Sequence, residues 1–245
     1  DLCKIMFVDS AGIQESDTER ENRMRLRQGL PARKPLYTVE DAKHSIKHFR
    51  NIKYGKMYTV DDQVKVRYRD AGHIVGAAII EMFINDGGKE KKLVFSGDLG
   101  QWNIPIVKDP TLISEADYVF IESTYGDRIH KDKGKSKELL LKHISDTYKR
   151  GGKLLIPSFA IERTQELLFA MHKLSKEGKM PKEKVFLDSP LAIRATKVFN
   201  KHHEVYDEEI KKELPEPFNF EGLKFTQKAN ESMMLNNYRE PAVII

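Results

Sequence analysis

The sequence predicts an α/β protein in two parts, and three observations carry that prediction. Between Val64 and Phe95 apolar and polar residues alternate, so the first part is rich in half-buried strands. After Lys153 short apolar runs alternate with helix-length amphipathic segments, the pattern of βαβ units around a parallel sheet. Lys131, Lys133 and Lys135 cluster around Gly134. This composition shift places the expected boundary within residues 130–136 and gives parts 1–133 and 134–245.

The elements follow in order. Charge-rich residues 15–28 are expected to form a helix ended by Gly29 and Pro31. Thr38 reads as the N-cap of a helix running to about Phe49, with Asp41 in the Glu/Gln place of a capping box. Val64, Val66 and Tyr68 alternate with Lys65, Arg67 and Arg69 as a strand. Residues 77–84 make a second strand, and Asn85-Asp86-Gly87-Gly88 supplies a turn into a third at 92–95. A fourth apolar run spans 118–121. In the second part strands are expected at 153–156, 185–187 and 242–245. Helices are expected at 161–174, 192–201 and 233–237, with Met233 and Met234 as packing residues.

A chain of 245 residues, 40% hydrophobic and 32% charged, has enough apolar material for one large core or two modest ones. It lacks the composition of a disordered chain, an apolar run of about 18 residues and a basic-then-apolar leader. No membrane association and a cytoplasmic setting are therefore expected. The one cysteine, Cys3, cannot form an internal disulfide or build a cysteine metal site, so any metal must use His and carboxylates. The formal charge of +5 suits a polyanion but does not by itself specify one. The chain opens on Asp1 rather than Met and closes on Ala242-Val243-Ile244-Ile245, a run typical of an internal buried strand. It is expected to be a piece of a longer protein.

Three strand ends carry candidate chemistry. In Asp70-Ala71-Gly72-His73-Ile74-Val75-Gly76, glycines leave room for an imidazole just past a strand. The alternative is a loop His satisfied by a backbone carbonyl. In Phe95-Ser96-Gly97-Asp98-Leu99-Gly100, a strand delivers a carboxylate able to bridge two divalent ions. The alternative is an Asx-turn. In Tyr118-Val119-Phe120-Ile121-Glu122, a strand again ends in an acid. The set of three is more specific than any one member. His44 and His48, at i and i+4 with no metalloprotease Glu between them, read as a solvated helix face. Trp102, close after the Asp98 turn, is expected to pack beside the site.

The ordered run His73, Asp98, Glu122 resembles the metallo-β-lactamase-fold nucleases of the β-CASP family, which include ribonuclease J and the mRNA 3′-end processing endonuclease. The processing-endonuclease branch is the nearer of the two. Asp9-Ser10-Ala11-Gly12-Ile13-Gln14-Glu15, Pro35-Leu36-Tyr37-Thr38, the run from Ile156-Pro157-Ser158-Phe159 to Leu168, and Asp188-Ser189-Pro190-Leu191-Ala192 extend the resemblance over nearly the whole chain. It implies part of an αββα metallo-β-lactamase sandwich plus a β-CASP domain with a parallel βαβ sheet. It implies a metal-dependent ribonuclease with two zinc ions, RNA as partner, and room for a homo-oligomer. Residue by residue, His73 matches a ligand to one metal and Asp98 the carboxylate bridging both. Glu122 matches an acid that orients a later proton-donating His. The family's His-x-His-x-Asp-His string and its later His motifs do not occur here. The isolated chain is therefore expected to hold metal incompletely and to be inactive.

Ser158, Arg163 and Ser189 fall in strand-to-helix turns suited to phosphate. For Arg163 the alternative is a surface residue paired with Glu162 or Glu166. Two other functions stay open: a metal-free RNA-binding or scaffold protein of the same fold, and a hydrolase of the same fold acting on DNA.

Overall fold

Thr38 opens its helix as its neighbours require. In the computed structural model, which describes residues 1–129, 134–181 and 184–245, its hydroxyl accepts the Asp41 N–H and Asp41 returns the bond to the Thr38 N–H. This capping box starts α2 (Val39–Ile46), and Glu15 Oε1 accepts the Val39 N–H at 3.0 Å. Glu15 lies on α1 (Leu2–Arg27), which buries little beyond Ala11 and Thr18. The expected start near Glu15 is corrected to Leu2. The motif-like segment 9–15 is continuous helix, because no proline interrupts it and Leu2, Met6, Ala11 and Gln14 tolerate the helix. Gly29, at φ +73°, ends α1 as expected. α1 and α2 form one compact unit, Asp1–Asn51, and Ile52–Ile245 forms another. The expected boundary residues 130–133 lie outside the described residues.

The second unit opens with a five-stranded sheet in the order β1 (Met57–Thr59), β2 (Val64–Asp70), β3 (Ala78–Asp86), β4 (Lys89–Phe95), β5 (Tyr118–Phe120). The first four strands pair antiparallel and β4 pairs β5 in parallel. Gly87 and Gly88, both at positive φ, make the β3–β4 turn, so both strands run further toward it than the sequence suggests. On one face Ile79 and Val94 pack with Ala71 and Leu99.

The same face buries a charge. Glu81 is 1% exposed and takes bonds from Arg67 Nε at 2.6 Å, Arg69 Nε at 2.8 Å and Lys92 Nζ at 2.8 Å. Against its burial, these cations hold its carboxyl down at about 2, from 4.5. Glu81→Ala is expected to cost about 3 kcal/mol at pH 7, because three half-buried cations lose their shared anion. With the folded pKa depressed, that stabilisation is present above pH 4.5 and lost as pH falls toward 2. Urea denaturation of both proteins at pH 7 and pH 3 checks this: the gap must narrow at the lower pH.

The second sheet is wholly parallel, in the order β6 (Lys153–Leu155), β9 (Ala242–Ile244), β7 (Lys184–Leu187), β8 (Leu223–Phe225). α3 (Ser136–Lys149) precedes β6, and between the sheet's strands come α4 (Arg163–Lys176), α5 (Pro190–Phe199), the short α6 (Glu208–Lys211) and α7 (Ala229–Leu235). Ile144 of α3, Met171 of α4, Val185 of β7 and Val243 of β9 share one core. Phe199, Tyr206 and Phe218 make an edge-to-face aromatic group, with the Tyr206 hydroxyl bonded to Phe199 O at 2.8 Å. The connection between β4 and β5 docks onto this part: Val107 bridges Tyr206, and the Asp207 N–H donates to Ile106 O at 2.9 Å.

β1, α3, α6 and β8 were not expected from sequence. α3 was obscured by its lysine-rich approach. Met233 and Met234 are not packing residues within this chain, at 62% and 70% exposed, because α7 turns Leu235 inward instead. Trp102 is likewise 54% exposed rather than packed. α2 ends at Ile46 rather than near Phe49, so His44 lies exposed on it and His48, also exposed, lies in the turn beyond it. Among the described residues, no helix is long and apolar enough to cross a membrane.

Candidate functional site

β2, β4 and β5 all run in one direction, so their C-terminal ends meet at one edge of the sheet. His73 lies three residues past β2, Asp98 three past β4 and Glu122 two past β5. The structure brings all three into one cavity of about 240 Å³, which Thr124, Tyr125 and Arg163 also line. His73 Nε2 stands 3.9 Å from Asp98 Oδ2, and the Asp98 side chain is 74% exposed to that space.

The loops carrying His73 and Asp98 touch backbone to backbone. The Gly100 N–H donates to Ala71 O at 2.9 Å. A Cβ on Gly100 would lie 1.6 Å from Gly72 O, and one on Gly72, itself at φ +60°, would lie 2.6 Å from Pro110 N. Only glycine permits this approach. Glu122 adds a side-chain tie. Its Oε1 accepts the Leu99 N–H at 2.6 Å and its Oε2 accepts the Thr124 hydroxyl at 2.7 Å. These bonds, with the nearby His73, hold its carboxyl below the usual range, so it is ionised at neutral pH.

Two donors on one tetrahedral ion, each at about 2.1 Å, stand roughly 3.4 Å apart. The His73–Asp98 separation of 3.9 Å is close to that edge. The pair fits a metal as part of a shell. Among the described residues no group of three or more His, Cys, Asp or Glu side chains is arranged to hold one.

The expected phosphate contacts divide. Ser158 and Arg163 line a second cleft with Phe159 and Glu166, while Ser189 is not among its lining residues. Ser189 caps α5, accepting the Ala192 N–H at 3.2 Å. Arg163 Nη1 bonds both Glu166 oxygens, at 2.6 and 2.9 Å, so the ion-pair alternative describes its present state. Its guanidinium nevertheless lines the His73–Asp98 cavity as well.

Sequence reasoning missed Glu162. It is 1% exposed, adopts φ +65°, and accepts the Val75 N–H on Oε2 at 3.3 Å, while Oε1 has no hydrogen-bond partner among the described residues. It thus joins the His73 loop to the start of α4. Burial, reinforced by Glu166, pushes its carboxyl up to about 8. A Glu beside Arg and Thr reads as surface in any sequence, so no signal marked it.

The two sheets and the acid–imidazole site define an α/β protein whose candidate chemistry lies at strand ends. Residues 164–245 match the Beta-Casp domain model. The chain is 31% identical over 214 residues to a ribonuclease of Thermus thermophilus, covering 86% of this chain and 48% of that protein. It is 32% identical over 213 residues to an RNase J-like protein of Methanocaldococcus jannaschii, covering 85% and 48%. It is 29% identical over 217 residues to the transcription termination factor FttA of the same organism, covering 85% and 33%. Residues 164–245 are thus a Beta-Casp domain by this match, and most of the chain is similar to these relatives. It spans about half the length of the first two relatives and a third of the last.

Proposed function

We propose that this chain forms part of a zinc-dependent ribonuclease that hydrolyses RNA phosphodiester bonds by a two-metal mechanism. The observation that carries this reading is the meeting of His73, Asp98 and Glu122 with Arg163 around one cavity. Two of the relatives are named as ribonucleases or RNase J-like, which supports the same substrate. His73 would hold one ion and Asp98 would bridge both. When bound, such a pair lowers the pKa of a shared water and offsets charge on the phosphate. Glu122, ionised and held by Leu99 and Thr124, keeps the Asp98 loop in place and offers an acceptor for a proton-donating His. Arg163 faces the phosphate. Residues 1–133 and 134–245 serve as the partial metallo-β-lactamase and β-CASP domains, in a cytoplasmic protein.

With two donors in place of a full shell, the 245-residue chain alone is expected to show no chelator-sensitive RNA cleavage. In the whole gene product, Asp98→Ala is expected to lower cleavage of a labelled RNA at least about a hundredfold while leaving RNA affinity within a few-fold. Chelation should abolish cleavage and zinc should restore it. Undiminished cleavage by the Asp98→Ala protein sinks the reading. The short donor set favours one other reading, a metal-free RNA-binding protein of this fold. Tight RNA binding without cleavage under any metal would select it. Faster cleavage of DNA than of RNA would move the substrate to DNA.

A further inference from the structure

Phe159 is the most exposed aromatic side chain among the described residues, at 82%. Nothing in the fold explains a ring left so far in solvent, yet its backbone is firmly held. Phe159 O accepts both the Thr164 N–H at 3.1 Å and the Thr164 hydroxyl at 2.8 Å, at the start of α4. The ring is thus presented from a fixed turn. It lines a cleft of about 580 Å³ with Ser158 and Arg163. Arg163 is the one residue shared by this cleft and the cavity holding His73 and Asp98.

The geometry points to Phe159 as a stacking platform for one base of a single-stranded RNA whose neighbouring phosphate lies at Arg163. This deepens the ribonuclease reading and rests on it. A flat apolar ring beside a guanidinium matches an unstacked nucleotide, which presents a π-face and an anion at adjacent positions. Glu166 also lines the cleft, but both its oxygens are taken by Arg163 Nη1. The Arg163 Nε–H and Nη2–H groups make no protein hydrogen bond among the described residues, so they remain for a phosphate. A duplex would keep its bases stacked on one another and could not use the ring. The site therefore selects single strands.

The test measures binding, independently of cleavage. A fluorescein-labelled single-stranded RNA of about ten nucleotides is titrated into the whole gene product carrying Asp98→Asn, with and without Phe159→Ala or Phe159→Trp. Each titration is repeated with the RNA made abasic at one position in turn. Phe159→Ala is expected to weaken binding about tenfold, Phe159→Trp to preserve it, and duplex affinity to stay unchanged. At one position base removal should cost the Phe159 protein a similar factor and the Phe159→Ala protein nothing further. Unchanged affinity, or a loss additive with base removal at every position, overturns the proposal. A lowered melting temperature for Phe159→Ala with unaltered RNA affinity also overturns it and assigns the ring to protein packing. Failure of the ribonuclease reading shows separately, as wild-type protein that binds RNA this way without cutting it.

Discussion

Gly100→Ala is expected to destabilise the unit 52–245 by at least about 3 kcal/mol, the upper part of the range for forced overpacking. The added Cβ would stand 1.6 Å from Gly72 O, inside bonded distance, and the obstacle is backbone with no rotamer to yield. Something must therefore give between the His73 loop and the Asp98 loop. At this size the loss corresponds to a fall in melting temperature of roughly 6–12 °C. Gly88→Ala supplies the control. Gly88 has φ +88° but open space around its Cβ position, so only the left-handed strain of about 1 kcal/mol is paid. Comparable melting temperatures for the two variants would show that the loops separate freely, and the close approach would lose its structural role.

Glu162→Gln is expected to change how stability depends on pH. In the unfolded chain Glu162 ionises near 4.5, whereas burial holds it protonated in the fold up to about 8. Between those values the folded state keeps a proton that the unfolded state has released, so the wild type loses stability as pH rises through that interval. The loss is present in full above about 8 and absent below 4.5. Gln cannot ionise and keeps the shape. Relative to wild type, the variant should therefore gain on the order of 5 kcal/mol from acid to mildly alkaline pH, whatever constant offset the amide introduces. Denaturant midpoints at several pH values measure the difference. A parallel pair of pH profiles would place the carboxyl in contact with water and refute the burial account. The same result would weaken the link it makes between the Val75 N–H and α4.

These two residues also show what a sequence conceals. His73, Asp98 and Glu122 were legible because each follows an apolar strand and stands beside a glycine or a turn. The hairpin at Gly87-Gly88 was legible too, but the pairing of β2 with β3 and the parallel pairing of β4 with β5, which make the three ends meet, were not. The approach of Gly72 to Gly100 was not legible, because it depends on distances between loops and not on local pattern. Glu162 was hidden for a different reason. Its burial comes from the packing of the His73 loop against α4, and a charged residue in a Glu-Arg-Thr-Gln string gives no sign of that. α3 was lost to its surroundings: Leu140 and Ile144 carry a helical face, but the lysines preceding it read as linker. Arg163 kept both of its readings, since an ion pair with Glu166 and a place on the cavity wall are compatible.

The strand order of the second sheet has a consequence for how the molecule is made. β9 lies between β6 and β7, and β6 has no other strand partner among the described residues. Lys153 of β6 waits for Ala242, 89 positions later. Emerging from a ribosome, β7 can pair with β8 once Leu223–Phe225 is made, but β6 must wait for β9, until nearly all of this sequence has been synthesised. Closing so long a loop is slow, and unpaired apolar strands invite pairing with other chains meanwhile. Val243 and its neighbours thus join β6 to the rest of the sheet, and β6 depends on protection until then, so synthesis rate and chaperone supply become determinants of yield.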